Sequence, residues 1–298
     1  MLPFDVVDVF TDHPFAGNQL AVVHGGEDLT TEQCLQIAQE FGYSETTFPV
    51  PLGGGTYRTR IFTPAAEIPF AGHPTLGTAH VLRSRGLLEE DRVVQQCGAG
   101  DIDVVFRGDG AVELAAVPRD LAGPLDDGLV AALLEDVGLS ISDVAGQVWA
   151  AGTGLTFVHL PVVEDAVARA LPSTTPLGEY ADRLALVGAV NDPVAGINLH
   201  TVHGQAPQLV VHARVFVPGL AVPEDPATGS AAAGLGMALV AAGRLPEGGS
   251  YAVEQGVEMG RPSQLEGRVE ASGGRATRLF VAGRVQHVAS GEIVVPPA

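Results

Sequence analysis

Pro223-Glu224-Asp225-Pro226-Ala227-Thr228-Gly229-Ser230-Ala231 runs straight into the small-residue segment Ala232–Gly236. Ile68-Pro69-Phe70-Ala71-Gly72-His73-Pro74-Thr75-Leu76-Gly77-Thr78-Ala79 reads as its partner. Upstream, Arg60-Ile61-Phe62-Thr63-Pro64 lies over Arg214-Val215-Phe216-Val217-Pro218, and Pro69 over Pro223. After a short deletion, Pro74-x-x-Gly77-Thr78-Ala79 lies over Pro226-x-x-Gly229-Ser230-Ala231, which sets His73 opposite Asp225. A repeat spanning half the chain outranks any single element. It predicts two copies of one unit, each offering one polar side chain at the same spot.

Each copy reads as a strand ending in Arg-x-Phe-x-Pro, a Pro-rich turn, and Gly-[Ser/Thr]-Ala opening a helix. A helix start leaves backbone N–H groups without intrahelical partners, and the helix dipole favours an anion there. Gly77-Thr78 and Gly229-Ser230 are therefore the expected anion-binding amides. Either stretch alone is an ordinary capped turn. Its recurrence, with His and Asp in register, points to a site.

The chain has 298 residues, 46% hydrophobic, with Gly 38 and Pro 21, which suits one large or two ordinary domains rich in turns. Charged residues are 17%, below the roughly 25% of average domains. A net charge of -19 disfavours nucleic acid and anionic membranes as partners. All 16 basic residues are Arg, and no Lys occurs. That excludes a lysine Schiff base, a pyridoxal phosphate aldimine and a Walker-type phosphate lysine. Cys34 and Cys97 lie far apart and outside both turns, as reduced structural thiols would in a cytoplasmic protein. With no C-x-x-C, a structural zinc site is not expected. The acidic N-terminus reads directly into a strand, so the expectation is a cytoplasmic chain with no signal peptide and no membrane span.

Along the chain, Phe4–Phe10 and Gln19–Val23 read as strands around the turn Pro14-Phe15-Ala16-Gly17-Asn18. Thr30 or Thr31 caps a helix that ends at Gly42, and Ser44–Val50 and Thr56–Thr63 are strands. Thr75–Arg85 and Ala231–Ala242 are the small-residue helices. Arg183–Val190, Gly196–Val202 and Leu209–Val217 read as strands, followed by short strands and Gly turns to the C-terminus. Asp120–Gly128 is a Pro/Gly/Asp-rich boundary. The reading is an α+β chain of two pseudo-symmetric halves, 1–118 and 119–282, with strands at about 283–298 returning to the first. Each half is a mainly antiparallel sheet curled around a central helix, and such a helix must be slim.

Glu45 sits in a strand-like run beside Tyr43, Thr47 and Phe48. Packing among apolar groups strips hydration from a carboxylate, raises its pKa and suits it to acid–base work near neutral pH. His73 precedes a proline, and Asp225 begins an Asp-Pro turn, where a plain structural role is also available. His200, His203 and His212 invite a metal reading, but residues three apart on a strand face opposite ways. No metal is assigned to them.

Taken together, Arg60–Pro64, Gly72–Ala79, Ser44-Glu45-Thr46-Thr47-Phe48 and Glu224–Ala231 resemble the PhzF family of phenazine-biosynthesis-type isomerases. That family is related in fold to diaminopimelate epimerase. The opening Asp8-Val9-Phe10-Thr11-x-x-x-Phe15-x-Gly17-Asn18 is similar too, although Gln19 stands where the family usually has proline. The resemblance implies a homodimer with no cofactor and an active site in the cleft between the halves. It implies Glu45 as catalytic acid/base, His73 and Asp225 as polar helpers, and Ser230 as a substrate-positioning group. Gly72 and Gly229 would supply backbone contacts, and Asn18 would contact substrate.

Epimerases of this architecture take one thiol from each half, but here the repeated turns carry His73 and Asp225 rather than cysteines. The pattern favours a single carboxylate moving a proton suprafacially on a small cyclic or unsaturated carboxylic acid, as in isomerisation of trans-2,3-dihydro-3-hydroxyanthranilate. Two alternatives share the sequence pattern: a non-thiol epimerase or racemase pairing Glu45 with Asp225, and a non-catalytic small-molecule binder. Substrate identity is not written in these motifs.

Overall fold

The computed structural model describes residues 1–173, 175, 190–218 and 223–297. Two compact units form, Met1–Ala115 with Ala282–Ala298, and Ala116–Val281. In chain order the first unit contains β1 (Leu2–Val9), β2 (Asn18–Val23), α1 (Thr31–Phe41), β3 (Glu45–Gly53) and β4 (Thr56–Phe62). It continues with β5 (Glu67–Ile68), α2 (Gly72–Ser84), β6 (Arg92–Cys97), β7 (Gly100–Phe106) and β8 (Val112–Ala116). The second unit has β9 (Asp120–Ala122), α3 (Asp127–Asp136), β10 (Trp149–Gly152), β11 (Thr156–Pro161), α4 (Glu164–Arg169), β12 (Val194–Gln205) and β13 (Gln208–Phe216). Then follow β14 (Glu224–Asp225), α5 (Gly229–Ala241), β15 (Gly248–Gln255), β16 (Ser263–Ser272) and β17 (Arg275–Gly283). β18 (Val285–Ile293) returns to the first unit and pairs with β1.

The pairing order of the two units is the same. In the first it runs β18-β1-β2-β3-β4-β6-β7, with only β2–β3 and β4–β6 parallel. In the second it runs β9-β10-β11-β12-β13-β15-β16, with only β11–β12 and β13–β15 parallel. A parallel step needs a crossover rather than a hairpin. Helix α1 supplies it between β2 and β3, α2 lies between β4 and β6, and α5 between β13 and β15. The fold is thus α+β and sheet-dominated, as the repeat predicts.

Local chemistry sets the helix ends. Thr30 and Gln33 cap α1 reciprocally, and Gly42, at φ 66°, closes it with an N–H bond to the Ala38 carbonyl. Helices α2 and α5 each lie against several strands of their own unit, α2 on β1, β2 and β3, and α5 on β10, β11, β15 and β16. Burial from many sides demands small residues. A Cβ on Gly77 would stand 2.6 Å from Leu20 Cδ2, and one on Gly236 would stand 2.6 Å from the Tyr251 hydroxyl. The strand expected over Arg183–Val190 falls on residues 183–189, outside the described residues, apart from Val190. Val93–Val104, which looks continuous in sequence, is a hairpin of β6 and β7.

The register of the repeat needs correction. Ile61 pairs with Ile68 and Phe62 with Glu67, while Val215 pairs with Asp225 and Phe216 with Glu224. Glu67 and Glu224 are therefore equivalent, and each takes a two-pronged bond from the equivalent arginine, Arg60 or Arg214, at 2.7–2.8 Å. The same distance further along the chain, Gly72 and Gly229 each open a 13-residue helix. His73 thus corresponds to Ser230, and Asp225 to Ile68. The Gly-[Thr/Ser]-Ala likeness reflects the shared need for slim helices, whereas backbone pairing and the Arg–Glu forks fix the true register.

Candidate active site

Glu45 begins β3, level with Leu20 on β2, and His73 is the second residue of α2. The strand and the helix bring Glu45 Oε2 to 3.3 Å from His73 Nε2, both side chains being largely buried. Oε2 takes no hydrogen bond within the described residues, so the carboxylate has lost water without full replacement. Burial accordingly pushes the Glu45 carboxyl up to about 7, with a hydrogen bond from Ser44 pulling against it. A carboxyl poised there exchanges a proton readily in either direction at neutral pH.

The neighbours hold this geometry. Ser44 Oγ also lies 3.2 Å from Asn18 Oδ1, so its single proton is shared between that oxygen and the Glu45 carboxylate, and Asn18, buried at the start of β2, stands in the same network. Behind α2, the Tyr57 hydroxyl donates to Gln95 Oε1 at 3.1 Å, and Gln95 Nε2 donates to Thr75 Oγ1 at 2.8 Å. The Thr75 hydroxyl donates to the Ala71 carbonyl at 2.8 Å. This buried chain ties β4 and β6 to the first turn of α2 and so fixes the backbone that carries His73. The N-cap residue Ala71 gives α2 no side-chain hydrogen bond, so a helix start without a side-chain cap lies at Gly72.

Gly77 and Thr78 do not belong to the helix start. Both lie in the interior of α2, where helix amides bond to carbonyls of the preceding turn. Thr78 Oγ1 bonds Thr47 Oγ1 at 2.8 Å in the core, and Gly77 admits Leu20 and Val9. Their expected anion-binding role is replaced by packing; the first-turn amides in this unit belong to Gly72 and His73.

In the second unit Asp225 ends β14, and Gly229 and Ser230 form the first turn of α5. The Thr228 hydroxyl donates to Asp225 Oδ2 at 2.6 Å instead of capping the helix, and accepts from Gln255 Nε2 at 3.0 Å. Gln255 Nε2 also donates to the Asp225 carbonyl at 2.7 Å. Asp225 is thereby held, and the Ser230 hydroxyl stands half-buried at an uncapped helix start. Thr228 was readable as a capping residue before Gly229. Gln255 was not, since nothing local connects it to a turn 30 residues earlier.

No second base mirrors Glu45. The residue before the partner of Phe62 is Glu45, and the residue before the partner of Phe216 is Gly196. A Cβ at Gly196 would lie 2.4 Å from the Phe216 carbonyl oxygen, so that position accepts no side chain. Cys34 is buried in α1 with its thiol pushed up to about 11 by burial, and Cys97 ends β6. Of the three histidines weighed as ligands, His200 bonds the Asn198 carbonyl and His212 faces Glu258 at 3.1 Å. Among the described residues no group of three His, Cys, Asp or Glu is placed to hold a metal.

This arrangement accompanies a family match. The profile of the phenazine biosynthesis-like (PhzC-PhzF) proteins covers residues 7–291. The chain belongs to the PhzF family. It is 34% identical over 288 residues to a trans-2,3-dihydro-3-hydroxyanthranilate isomerase of Pseudomonas aeruginosa, covering 96% of this chain and 97% of that one. A PhzF-family protein of Bacillus anthracis superposes with a TM-score of 0.82 at 24% identity, over 99% of both chains. A hydroxyproline epimerase of Agrobacterium vitis shares the fold at TM-score 0.60 and 16% identity, covering 97% of this chain and 91% of that one. With relatives of this family named isomerases, this PhzF chain is an isomerase. No helix among its described residues is long and apolar enough to cross a membrane.

Proposed function

We propose that this PhzF-family protein moves a proton, and with it a double bond, on a small unsaturated carboxylic acid, using Glu45 as the single acid/base. The observation that carries the reading is the buried Glu45 carboxyl, raised to about 7 beside His73, with glycine at the matching position of the other unit. The Glu45 carboxylate takes a proton from an allylic carbon. The C–H electron pair enters the conjugated system, giving a dienol- or dienamine-like state. The neutral carboxylic acid then returns the proton to a carbon further along on the same face. Nothing is oxidised or reduced, so the step calls for no redox cofactor.

First-turn amides suit a substrate carboxylate, because uncapped N–H groups and the helix dipole both favour negative charge. Gly72 has that position in α2, and Gly229 with Ser230 in α5. His73 is placed to support the proton held by Glu45. Asp225 with Thr228 is a carboxylate–hydroxyl pair of the kind that orients a substrate amine or hydroxyl. Asn18 takes a positioning role through Ser44. The Pseudomonas aeruginosa relative's named substrate, trans-2,3-dihydro-3-hydroxyanthranilate, has this chemistry and is the first compound to try. A homodimer and a cytoplasmic location follow from the family resemblance, and sedimentation analysis checks the former.

The deciding experiment is proton NMR in deuterated water with that dihydro-hydroxyanthranilate, for wild type and Glu45→Gln. Double-bond movement with deuterium uptake in wild type alone supports the proposal. Exchange at a stereocentre without migration of the double bond would instead identify an epimerase, and undiminished turnover in Glu45→Gln would remove Glu45 from its role.

A further inference from the structure

The second unit has a half-open cavity of about 250 Å³ between the C-terminal half of α5 and strands β10–β12, lined in part by Trp149, His200, Leu239 and Arg244. Asp225, Gly229 and Ser230 take no part in its walls. Its walls contain no Asp or Glu, although the chain carries 35 acidic residues against 16 basic. In a strongly negative molecule this is a local enclave for an anion.

The polar groups there have unfilled valences. Trp149 Nε1 is buried and has no hydrogen-bond partner among the described residues. That atom has no surface open to water, so Trp149 offers the cavity its ring and not its N–H. Arg244 makes no ion pair with any described residue, and its exposed side chain borders the cavity. His200 Nδ1 lies 3.2 Å from the Asn198 carbonyl and must donate to it, which leaves Nε2 as the acceptor of a neutral ring. Burial holds His200 at about 4, with the Arg244 charge acting in the same direction, so the ring is neutral at physiological pH. Gln147 and the buried His159 also line the cavity, and the rest of the wall is apolar, including Pro161, Val202 and Leu239.

We propose that this cavity is a second small-molecule site, taking a carboxylic acid that also bears a hydroxyl or amino group. The carboxylate meets Arg244, the hydrocarbon body lies on the Trp149 ring, Leu239 and their apolar neighbours, and the hydroxyl or amine donates to His200 Nε2. A mostly apolar wall with a few convergent polar groups is the usual form of such sites. The site stands independently of the proton-transfer reading given for Glu45.

Trp149 is the single tryptophan of the chain and lines the cavity, so its fluorescence responds to an occupant there. The full-length protein is titrated with 3-hydroxycyclohexanecarboxylate and with cyclohexanecarboxylate, both transparent where indole absorbs. The expected result is a saturable change in emission, equal in wild type and Glu45→Gln. Arg244→Gln weakens binding of both acids about 10-fold or more, the scale of a lost charged hydrogen bond. His200→Phe lowers affinity for the hydroxy acid several-fold but not for the plain acid. Because Arg244 is exposed, Arg244→Gln folds normally, as circular dichroism would verify. No saturable change up to the millimolar range, unaltered binding in Arg244→Gln, or loss of the signal in Glu45→Gln would each overturn the proposal.

Discussion

Gly196 occupies in the second unit the position that Glu45 occupies in the first. Each precedes the residue paired with the phenylalanine of the repeated Arg-x-Phe sequence, Thr46 with Phe62 and Ile197 with Phe216. One copy of the repeat has a carboxyl there, and the other has no room for a Cβ. The duplicated fold has become chemically asymmetric. Gly196→Ala should therefore cost about 2 kcal/mol or more through backbone displacement, read as a lower urea midpoint at unchanged slope.

Glu45→Gln should reduce turnover by about 10²–10⁴-fold or more, the usual contribution of a placed acid–base group, while leaving the fold intact. Since the amide cannot ionise, the loss should not be recovered at any pH. Steady-state rates with far-ultraviolet circular dichroism test both halves of this expectation.

The same substitution should stabilise the protein at alkaline pH. The Glu45 carboxyl is raised from 4.5 to about 7 by burial, so folding favours its protonated form. Its contribution is fully present below the unfolded value and is lost as pH rises through the folded one. Wild type should lose on the order of 3 kcal/mol between those limits relative to Glu45→Gln. Urea unfolding at a series of pH values, compared between the two proteins, measures the difference directly.

Activity should follow the opposite sign. The base must be ionised in the first step, so kcat/KM rises through a midpoint near about 7. The hydrogen bond from Ser44 lowers that value, so Ser44→Ala should move the midpoint upward, by roughly half to one pH unit. A midpoint that stays put in Ser44→Ala would detach Ser44 from the carboxyl.

The two Arg–Glu forks should differ in weight. Arg214 and Glu224 are both buried, and Arg214 also donates to the Ala170 carbonyl at 2.6 Å. Arg214→Met should cost about 3–5 kcal/mol, because Glu224 is left as a buried, uncompensated charge. Arg60 and Glu67 are partly exposed, so Arg60→Met should cost about 1 kcal/mol. Denaturant midpoints for the two variants make the comparison.

By itself the sequence determined the internal repeat, the slim central helices, and the ends of α1 at Thr30 or Thr31 and at Gly42, while Glu45, Gly72 and His73 were singled out by family resemblance. The repeat, the helices and their ends were legible because periodicity, capping chemistry and small-residue runs are local, and because two copies reinforce each other. The tertiary structure decided the register of the halves. Sequence likeness set Gly77-Thr78-Ala79 over Gly229-Ser230-Ala231, since slim helices repeat small residues and many offsets look alike. Backbone pairing of Phe62 with Glu67 and Phe216 with Glu224 allows only one offset, which puts His73 with Ser230 and Asp225 with Ile68. Only folding could reveal the hold of Gln255 on Asp225, or that the counterpart of Glu45 in the second unit is Gly196. Only packing sets the Glu45 pKa, because desolvation depends on atoms that the chain brings in from far along its length.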